Sequence, residues 1–362
     1  MKNLLIKNFF KNKKVIITGH TGFKGSWLTL WLQKLGAKIL GISLGEPTYP
    51  CHFKMLNLEK KINSKKIDIR NLILLKKTIK NFKPDFIFHL AAQSLVKKSY
   101  LNPIDTWKTN TFGTLNILES LKNLNKECFV VLITSDKVYK NLEIKKGYDE
   151  KSRLGGYDPY SASKASAEIA IESYINSYFS EKSSKVKICI ARAGNVIGGG
   201  DWSENRLIPD CIKSWSKKNQ VLIRNPSSTR PWQHVLEAIS GYLILAIKLK
   251  LNKKLHGEAF NFGPKNQNNF KVISVLKMMK KKWKNISWKI DSSSKNRQYE
   301  SKLLKLNSNK AKKILNWKSI LTLEETLDLV VEWYKNFYVS DKTVLSLNQI
   351  EYFERKIKTS YK

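Results

Sequence analysis

Short apolar runs, bounded by lysine, proline or glycine, recur along the first half of the chain. Val15-Ile16-Ile17, Ile39 to Leu44, Phe86 to Leu90, Phe129 to Ile133 and Val186 to Ala191 each read as a brief strand, and Lys66 to Arg70 as another that ends in charge. They lack polar alternation, as strands buried on both faces of a parallel sheet do. Helical patterns separate them. Trp27, Leu28, Trp31, Leu32 and Leu35 fall at helical spacing, Asn71 to Phe82 suits a helix, and so does Pro103 to Leu124 with Asn110 inside it. Asp158-Pro159 supplies an N-cap and a proline at the first helical position for the next one. Alternating strand and helix predicts an α/β fold, a doubly wound parallel sheet of the Rossmann kind.

The first strand–helix junction carries Gly19-His20-Thr21-Gly22-Phe23-Lys24-Gly25. In that context Gly19 permits the tight turn, Gly22 admits a pyrophosphate to the backbone, and Gly25 lets the helix pack closely on the sheet. The helix N-terminus adds free N–H groups and a positive dipole end. Thr21, Phe23 and Lys24 belong to the same expected dinucleotide cradle. Asp68 is placed to accept from an adenine amino group, with Ile69 on the ring. Leu90, Ala91, Ala92 and Gln93 follow the fourth strand, where two small residues let backbone approach a flat ligand. Ser43-Leu44-Gly45 ends the second strand with no arginine after it, which favours NAD over NADP.

Thr134-Ser135-Asp136-Lys137 follows the fifth strand, at the sheet end where ligands of such folds sit. Tyr160 and Lys164 are four apart on one helix face, so the ammonium should lower the phenol's pKa and ready it as a base. Asn110, if buried, would tie its helix to a neighbouring strand or loop. The glycine run Gly198-Gly199-Gly200 reads as a flexible loop over the site. Arg206, Arg224 and Arg230 lie around it in sequence, and arginine suits forked phosphate recognition.

After Ala191 the alternation fades into mixed pieces, which predicts a smaller, partly interleaved C-terminal substrate domain. The expected division is 1–190 for the dinucleotide-binding domain, 191–345 mainly for the substrate domain, and 346–362 for a charged tail with no site. Glu258 to Pro264 reads as a short strand and turn, Met278 to Lys284 as an amphipathic helix with a solvated lysine face, and Leu315 to Tyr338 as a final helix.

Net charge is +37, yet the lysines spread evenly beside abundant Asn and Ile, which reads as compositional bias and not as a nucleic-acid face. Cys51, Cys128, Cys189 and Cys211 show neither CxxC nor metal-like spacing, so free thiols of a reducing compartment are expected, and no metal. No signal-peptide pattern or bilayer-length apolar run is present. A cytoplasmic protein without membrane partners is expected.

Together these pieces resemble the extended short-chain dehydrogenase/reductases, in particular the NAD-dependent epimerase/dehydratase family of nucleotide-sugar enzymes. The likeness runs from about Lys13 to about Tyr338. It is most specific in Ala191-Arg192-Ala193-Gly194-Asn195-Val196-Ile197-Gly198-Gly199-Gly200-Asp201-Trp202 and Arg230-Pro231-Trp232-Gln233-His234-Val235. The resemblance implies a lyase with tightly held NAD and CDP-glucose as substrate, in deoxysugar synthesis for a bacterial surface polysaccharide such as lipopolysaccharide O-antigen. It implies that Tyr160, aided by Lys164 and Ser135, takes the C4 hydroxyl proton, and that Asp136 is the acid for the departing C6 hydroxyl. It implies that Gln93, Asn195, Arg206 and Arg230 hold the nucleotide sugar, and that the chain forms a homodimer. Related dTDP- and GDP-sugar dehydratases place Glu beside that Asp. Lys137 stands there in this chain, which leaves the base for the C5 proton open between Lys137 and another group. A sugar-nucleotide 4-epimerase would share Tyr160 and Lys164 but need no acid–base pair for elimination.

Overall fold

The computed structural model describes residues 8–181, 184–223, 225–264, 269–283, 286–291, 303–339 and 344–360. Arg224 and Lys284 lie outside them. The main sheet is built from β1 (Lys14–Thr18), β2 (Lys38–Ser43), β3 (Asn63–Lys66), β4 (Phe86–His89), β5 (Cys128–Ile133) and β6 (Val186–Ala193). Helix α1 (Phe23–Lys34) follows β1, α2 (Leu72–Phe82) follows β3, and α3 (Gly113–Leu121) precedes β5. Helix α4 (Pro159–Tyr174) precedes β6.

The second half supplies the short strands β7 (Val196–Ile197), β8 (Val221–Ile223), β9 (Thr229–Pro231) and β10 (Gln233–His234), with α5 (Leu207–Ser216) and α6 (Val235–Leu251). Strand β11 (Ala259–Phe262), β12 (Asn269–Lys271), α7 (Val272–Lys282) and β13 (Trp288–Ile290) follow, and α8 (Leu323–Tyr338) and α9 (Ser346–Ser360) close the chain.

The sheet has seven strands in the order β11-β6-β5-β4-β1-β2-β3, all parallel. Strand order therefore reverses between β1 and β4, opening a crevice at their carboxyl ends. β4 and β5 are buried along their whole length, which is why their sequences are almost purely apolar. Strand β11 and helix α6, both from the second half, belong to the sheet layer: β11 pairs with β6, and α6 packs on β5 and β6. The short pairs β10–β7, β12–β9 and β13–β8 build the smaller lobe.

Three expectations are corrected. The third strand is Asn63–Lys66, ending where it was expected to begin. It is an exposed edge strand whose polar face needs no apolar run, and Ile67 to Arg70 turn off it, with Asp68 accepting from the Arg70 amide at 2.8 Å. Second, the glycine run is not a flexible cover. Gly199 and Gly200 are buried, and a Cβ on Gly199 would fall 2.0 Å from the Trp333 ring, while Gly200 has φ +80° and lies against His52. These glycines are where α8 presses on the loop. Third, 346–362 is not a mere tail. Ile350, Phe353 and Ile357 of α9 are buried, Phe353 meets the edge of Trp31, and Glu354 accepts from Trp31 Nε1 at 2.9 Å and Lys34 at 2.8 Å. With α9 on one side and the sheet on the other, α1 is buried almost all round.

Candidate active site

The carboxyl ends of the central strands open onto one cavity of about 1530 Å³, walled by both halves of the chain. At its sheet end lies the glycine loop. Gly19 has φ +71°, the left-handed region that favours glycine, and a Cβ there would fall 2.8 Å from the Ala91 amide. A Cβ on Gly25 would fall 2.0 Å from the Gly19 carbonyl. These close approaches leave the N-terminus of α1 bare toward the cavity, the shape that fits a dinucleotide's pyrophosphate. Gly22, Thr21, Phe23, Lys24, Ile69, Leu90, Ala91 and Ala92 line the same cavity. Thr21 donates its hydroxyl to the Gly45 carbonyl at 2.5 Å, fixing the loop against the end of β2. Asp68 also lines the cavity, and Arg70 Nε and Nη2 both donate to its Oδ2, at 2.8 and 2.6 Å. That pairing holds the carboxyl below its usual range.

Gln93 reaches the cavity wall, but its side chain is spent on its own surroundings. The amide nitrogen donates to Leu95 O at 3.1 Å and Thr106 Oγ1 at 3.0 Å, and Oε1 accepts from Leu95 N at 2.7 Å. Asn110 is buried at a wide π turn between the two parts of its helix, and bonds the backbone of Gln93 on both sides.

Ser135, Asp136, Lys137, Tyr160 and Lys164 all converge on the cavity. Asp158 caps α4 by accepting from Ser161 N at 3.0 Å, and this fixes the first turn, where Tyr160 sits. The Ser135 hydroxyl donates to Asp136 Oδ1 at 3.0 Å. Asp136 is 3% exposed, and burial pushes its carboxyl pKa up, against the opposing pull of Lys137, Ser135, Lys24 and Arg230.

The expected lowering of the Tyr160 pKa is overturned. Burial raises it, and the nearby Ser135 hydroxyl only partly offsets that. Lys164 points its ammonium at the Ile133 carbonyl, 3.5 Å away. Desolvation lowers the Lys164 pKa to about 8, with Glu168 acting in the opposite direction. Lys24 is likewise lowered to about 8, by desolvation first and then by Arg206.

Asn195 is exposed on the cavity wall. Arg206 is anchored by Asp201 at 3.2 Å and reaches Ser94 Oγ at 3.5 Å. Arg230 lines the same cavity, on β9. The structure thus brings Arg206 and Arg230 to one cavity.

Sequence reasoning missed the support under the Thr134–Lys137 loop. Glu168, one turn beyond Lys164, accepts from Thr134 Oγ1 at 2.5 Å and pairs with Arg192, which in turn donates to Tyr139 Oη at 2.7 Å. The spacing of Tyr160, Lys164 and Glu168 on one helix face was the available signal. Among the described residues no cluster of His, Cys, Asp and Glu is arranged to hold a metal. No helix there is long and apolar enough to cross a membrane.

A glycine loop at the switch point of a doubly wound sheet, facing a Tyr–Lys pair across the strand ends, defines the short-chain dehydrogenase/reductase class of fold and site. Residues 16–330 match the family described as GDP-mannose 4,6 dehydratase, and the chain belongs to that family. It is 44% identical over 336 residues to CDP-glucose 4,6-dehydratase of Salmonella typhimurium, covering 92% of this chain and 93% of that one. It is 26% identical over 336 residues to UDP-glucose 4-epimerase of Mycoplasma pneumoniae, covering 90% and 97%. The crystal structure of dTDP-glucose 4,6-dehydratase from Bacillus anthracis in complex with NAD shares the fold at a TM-score of 0.73, with 24% identity over 90% of this chain and 97% of that one.

Proposed function

We propose that this chain converts CDP-glucose to CDP-4-keto-6-deoxyglucose by C4 oxidation, elimination of water across C5 and C6, and reduction at C6. The observation that carries this reading is Asp136, a buried carboxyl with a raised pKa beside Lys137, in the cavity that also holds Tyr160. An epimerase has no use for such a proton donor. The match to the Salmonella dehydratase over nearly the whole chain supports the cytidine nucleotide.

NAD, held by Gly19, Gly22, Gly25, Asp68, Ile69, Ala91 and Ala92, would supply the acceptor for the C4 hydride and its return to C6. Tyr160 takes the C4 hydroxyl proton, with Ser135 beside it in the cavity and Lys164 offering positive charge. The C4 ketone then acidifies C5–H. Lys137 removes that proton, and Asp136 protonates the C6 oxygen so that it leaves as water. Arg206 and Arg230 grip the diphosphate, Asn195 meets the sugar nucleotide at the rim, and Gln93 acts by shaping the wall.

The chain is further proposed to work as a homodimer in the cytoplasm. Segment 96–121 packs along α4, and together they expose Leu101, Ile104, Phe112 and Ile169. Four buried free thiols accord with a reducing compartment.

Offering CDP-, dTDP-, GDP- and UDP-glucose and following loss of one water by mass spectrometry tests the reading. Only the CDP sugar should be dehydrated rapidly, and a product of unchanged mass would overturn it. Tyr160→Phe should abolish the first oxidation. Lys137→Ala should still reduce the cofactor but stall at elimination, and unimpaired turnover removes Lys137 as the base.

A further inference from the structure

No residue of α8 lines the cavity, yet one of its side chains holds the loop that leads to Arg206. Tyr334 is wholly buried, and its phenol closes both sides of one peptide position. It accepts from Asp201 N at 3.0 Å and donates to the Asp201 carbonyl at 2.7 Å. The Gly198 carbonyl lies 3.3 Å from the same oxygen. Beside it, Trp202 Nε1 donates to Tyr338 Oη at 2.9 Å, and from α1 Trp27 Nε1 donates to the Gly199 carbonyl at 2.9 Å. Side chains thus tie the 198–202 loop to α1 and α8.

The Asp201 carboxylate leads from that fixed backbone to the cavity, which Asp201 and Arg206 both line. Asp201 is 4% exposed. Its Oδ1 accepts from Ser203 N at 3.0 Å, which fixes the side chain's rotamer, and its Oδ2 accepts from Arg206 Nη1 at 3.2 Å. Arg206 Nη2 reaches Ser94 Oγ at 3.5 Å, a long contact. The guanidinium carries more N–H donors than these two contacts use, so donors remain for an anion. An arginine on irregular backbone gives up rotamer freedom when it grips a ligand, and one already held in place gives up less. Packing alone does not ask for the Tyr334 hydroxyl: Phe337, three residues on, packs against Trp202 without one.

We propose that Tyr334 and Asp201 are positioning residues that preset the Arg206 guanidinium for the diphosphate of the nucleotide sugar, and so govern substrate affinity while leaving the chemical steps alone. Tyr334 fixes the peptide, and Asp201 carries that position to its carboxylate. The carboxylate then holds one terminal nitrogen of the guanidinium and leaves other donors for phosphate oxygens. The inference rests on the reading of Arg206 as a grip on the diphosphate. Asp201 also has an opposing effect, because its charge repels phosphate. The gain from order must exceed that repulsion, which gives the test its sign.

Tyr334→Phe, in the holoenzyme, keeps the ring and removes the hydroxyl. Its KM for CDP-glucose and its Kd for CDP, by calorimetric titration, should each rise about tenfold, while kcat stays within about twofold of the wild type. Asp201→Asn keeps the side chain's shape and drops its charge. It should raise KM likewise, and it carries the test if the tyrosine variant does not fold. Added to Arg206→Gln, neither change should raise KM further, because the group it positions is gone. An unchanged KM in Tyr334→Phe, an unchanged or lower KM in Asp201→Asn, or a full further rise in the double variants overturns the proposal. A loss of kcat as large as the rise in KM overturns it too. Arg206→Gln with the wild-type KM overturns instead the reading on which it rests.

Discussion

Glu168 accepts from Nε of Arg192 at 2.9 Å through each of its carboxylate oxygens, and the two side chains are 2% and 5% exposed. The pair joins α4, which carries Tyr160 and Lys164, to β6, and through Thr134 it reaches the loop that carries Ser135 and Asp136. Removing one partner would leave an uncompensated buried charge, a loss of about 3–5 kcal/mol. Glu168→Ala should therefore lower the urea midpoint sharply and reduce activity with it. A midpoint equal to wild type would show that the pair is dispensable.

Asn110 spans the backbone of Gln93, accepting from its N–H at 2.8 Å and donating to its carbonyl at 3.0 Å, with a further bond to Ser163 Oγ at 2.9 Å. Asn110→Leu would leave those groups unpaired in the interior, at about 1–3 kcal/mol each. The expected outcome is a lower melting temperature together with weaker binding of NAD, because the Ala91–Gln93 wall is no longer pinned. Calorimetric titration with NAD checks the second effect. Unchanged affinity in a destabilised protein would confine Asn110 to stability.

Gly199 is a packing position. Adding a Cβ 2.0 Å from the Trp333 ring forces α8 or the loop to shift, and overpacking of this kind costs about 1–3 kcal/mol or more. Gly199→Ala should lower the unfolding midpoint accordingly. The same midpoint in the variant would contradict the packing seen between this loop and α8.

Acid should destabilise the fold well above the range where carboxylates titrate. Burial lowers the pKa of His52, His89 and His234 to about 3, and of His20 to about 4. Their folded-state pKa values lie below that of the unfolded chain, near 6.5, so between these limits the unfolded state binds more protons. Stability then rises with pH, by about 1.4 kcal/mol per pH unit for each histidine. Asp136 and Glu150, with raised pKa values, oppose this in part. Urea unfolding followed from pH 7 to pH 5 should show a steep fall below about pH 6.5. A flat profile would mean that these histidines are protonated in the folded protein.

The sheet and the glycine turn were legible because their signals are local. A strand buried on both faces must be apolar, and a turn at Gly19 with φ +71° needs glycine whatever lies elsewhere. The Tyr160–Lys164 pair was legible for the same reason, since helical spacing alone puts both on one face. Its ionisation was not. How far burial raises the phenol depends on what is packed around it, and spacing carries no information about that.

By itself, then, the sequence determined the strand and helix succession, the glycine turn after β1 and the cap that sets Tyr160 in place. Tertiary structure decided the rest. It set the glycines of 198–200 against Trp333 and His52, docked α9 on α1, and turned Glu168 toward Arg192. It also brought Arg206 and Arg230 to one cavity. Each of these depends on residues that are not neighbours along the chain. Burial, charge and close approach there are properties of the partner, which no local pattern encodes.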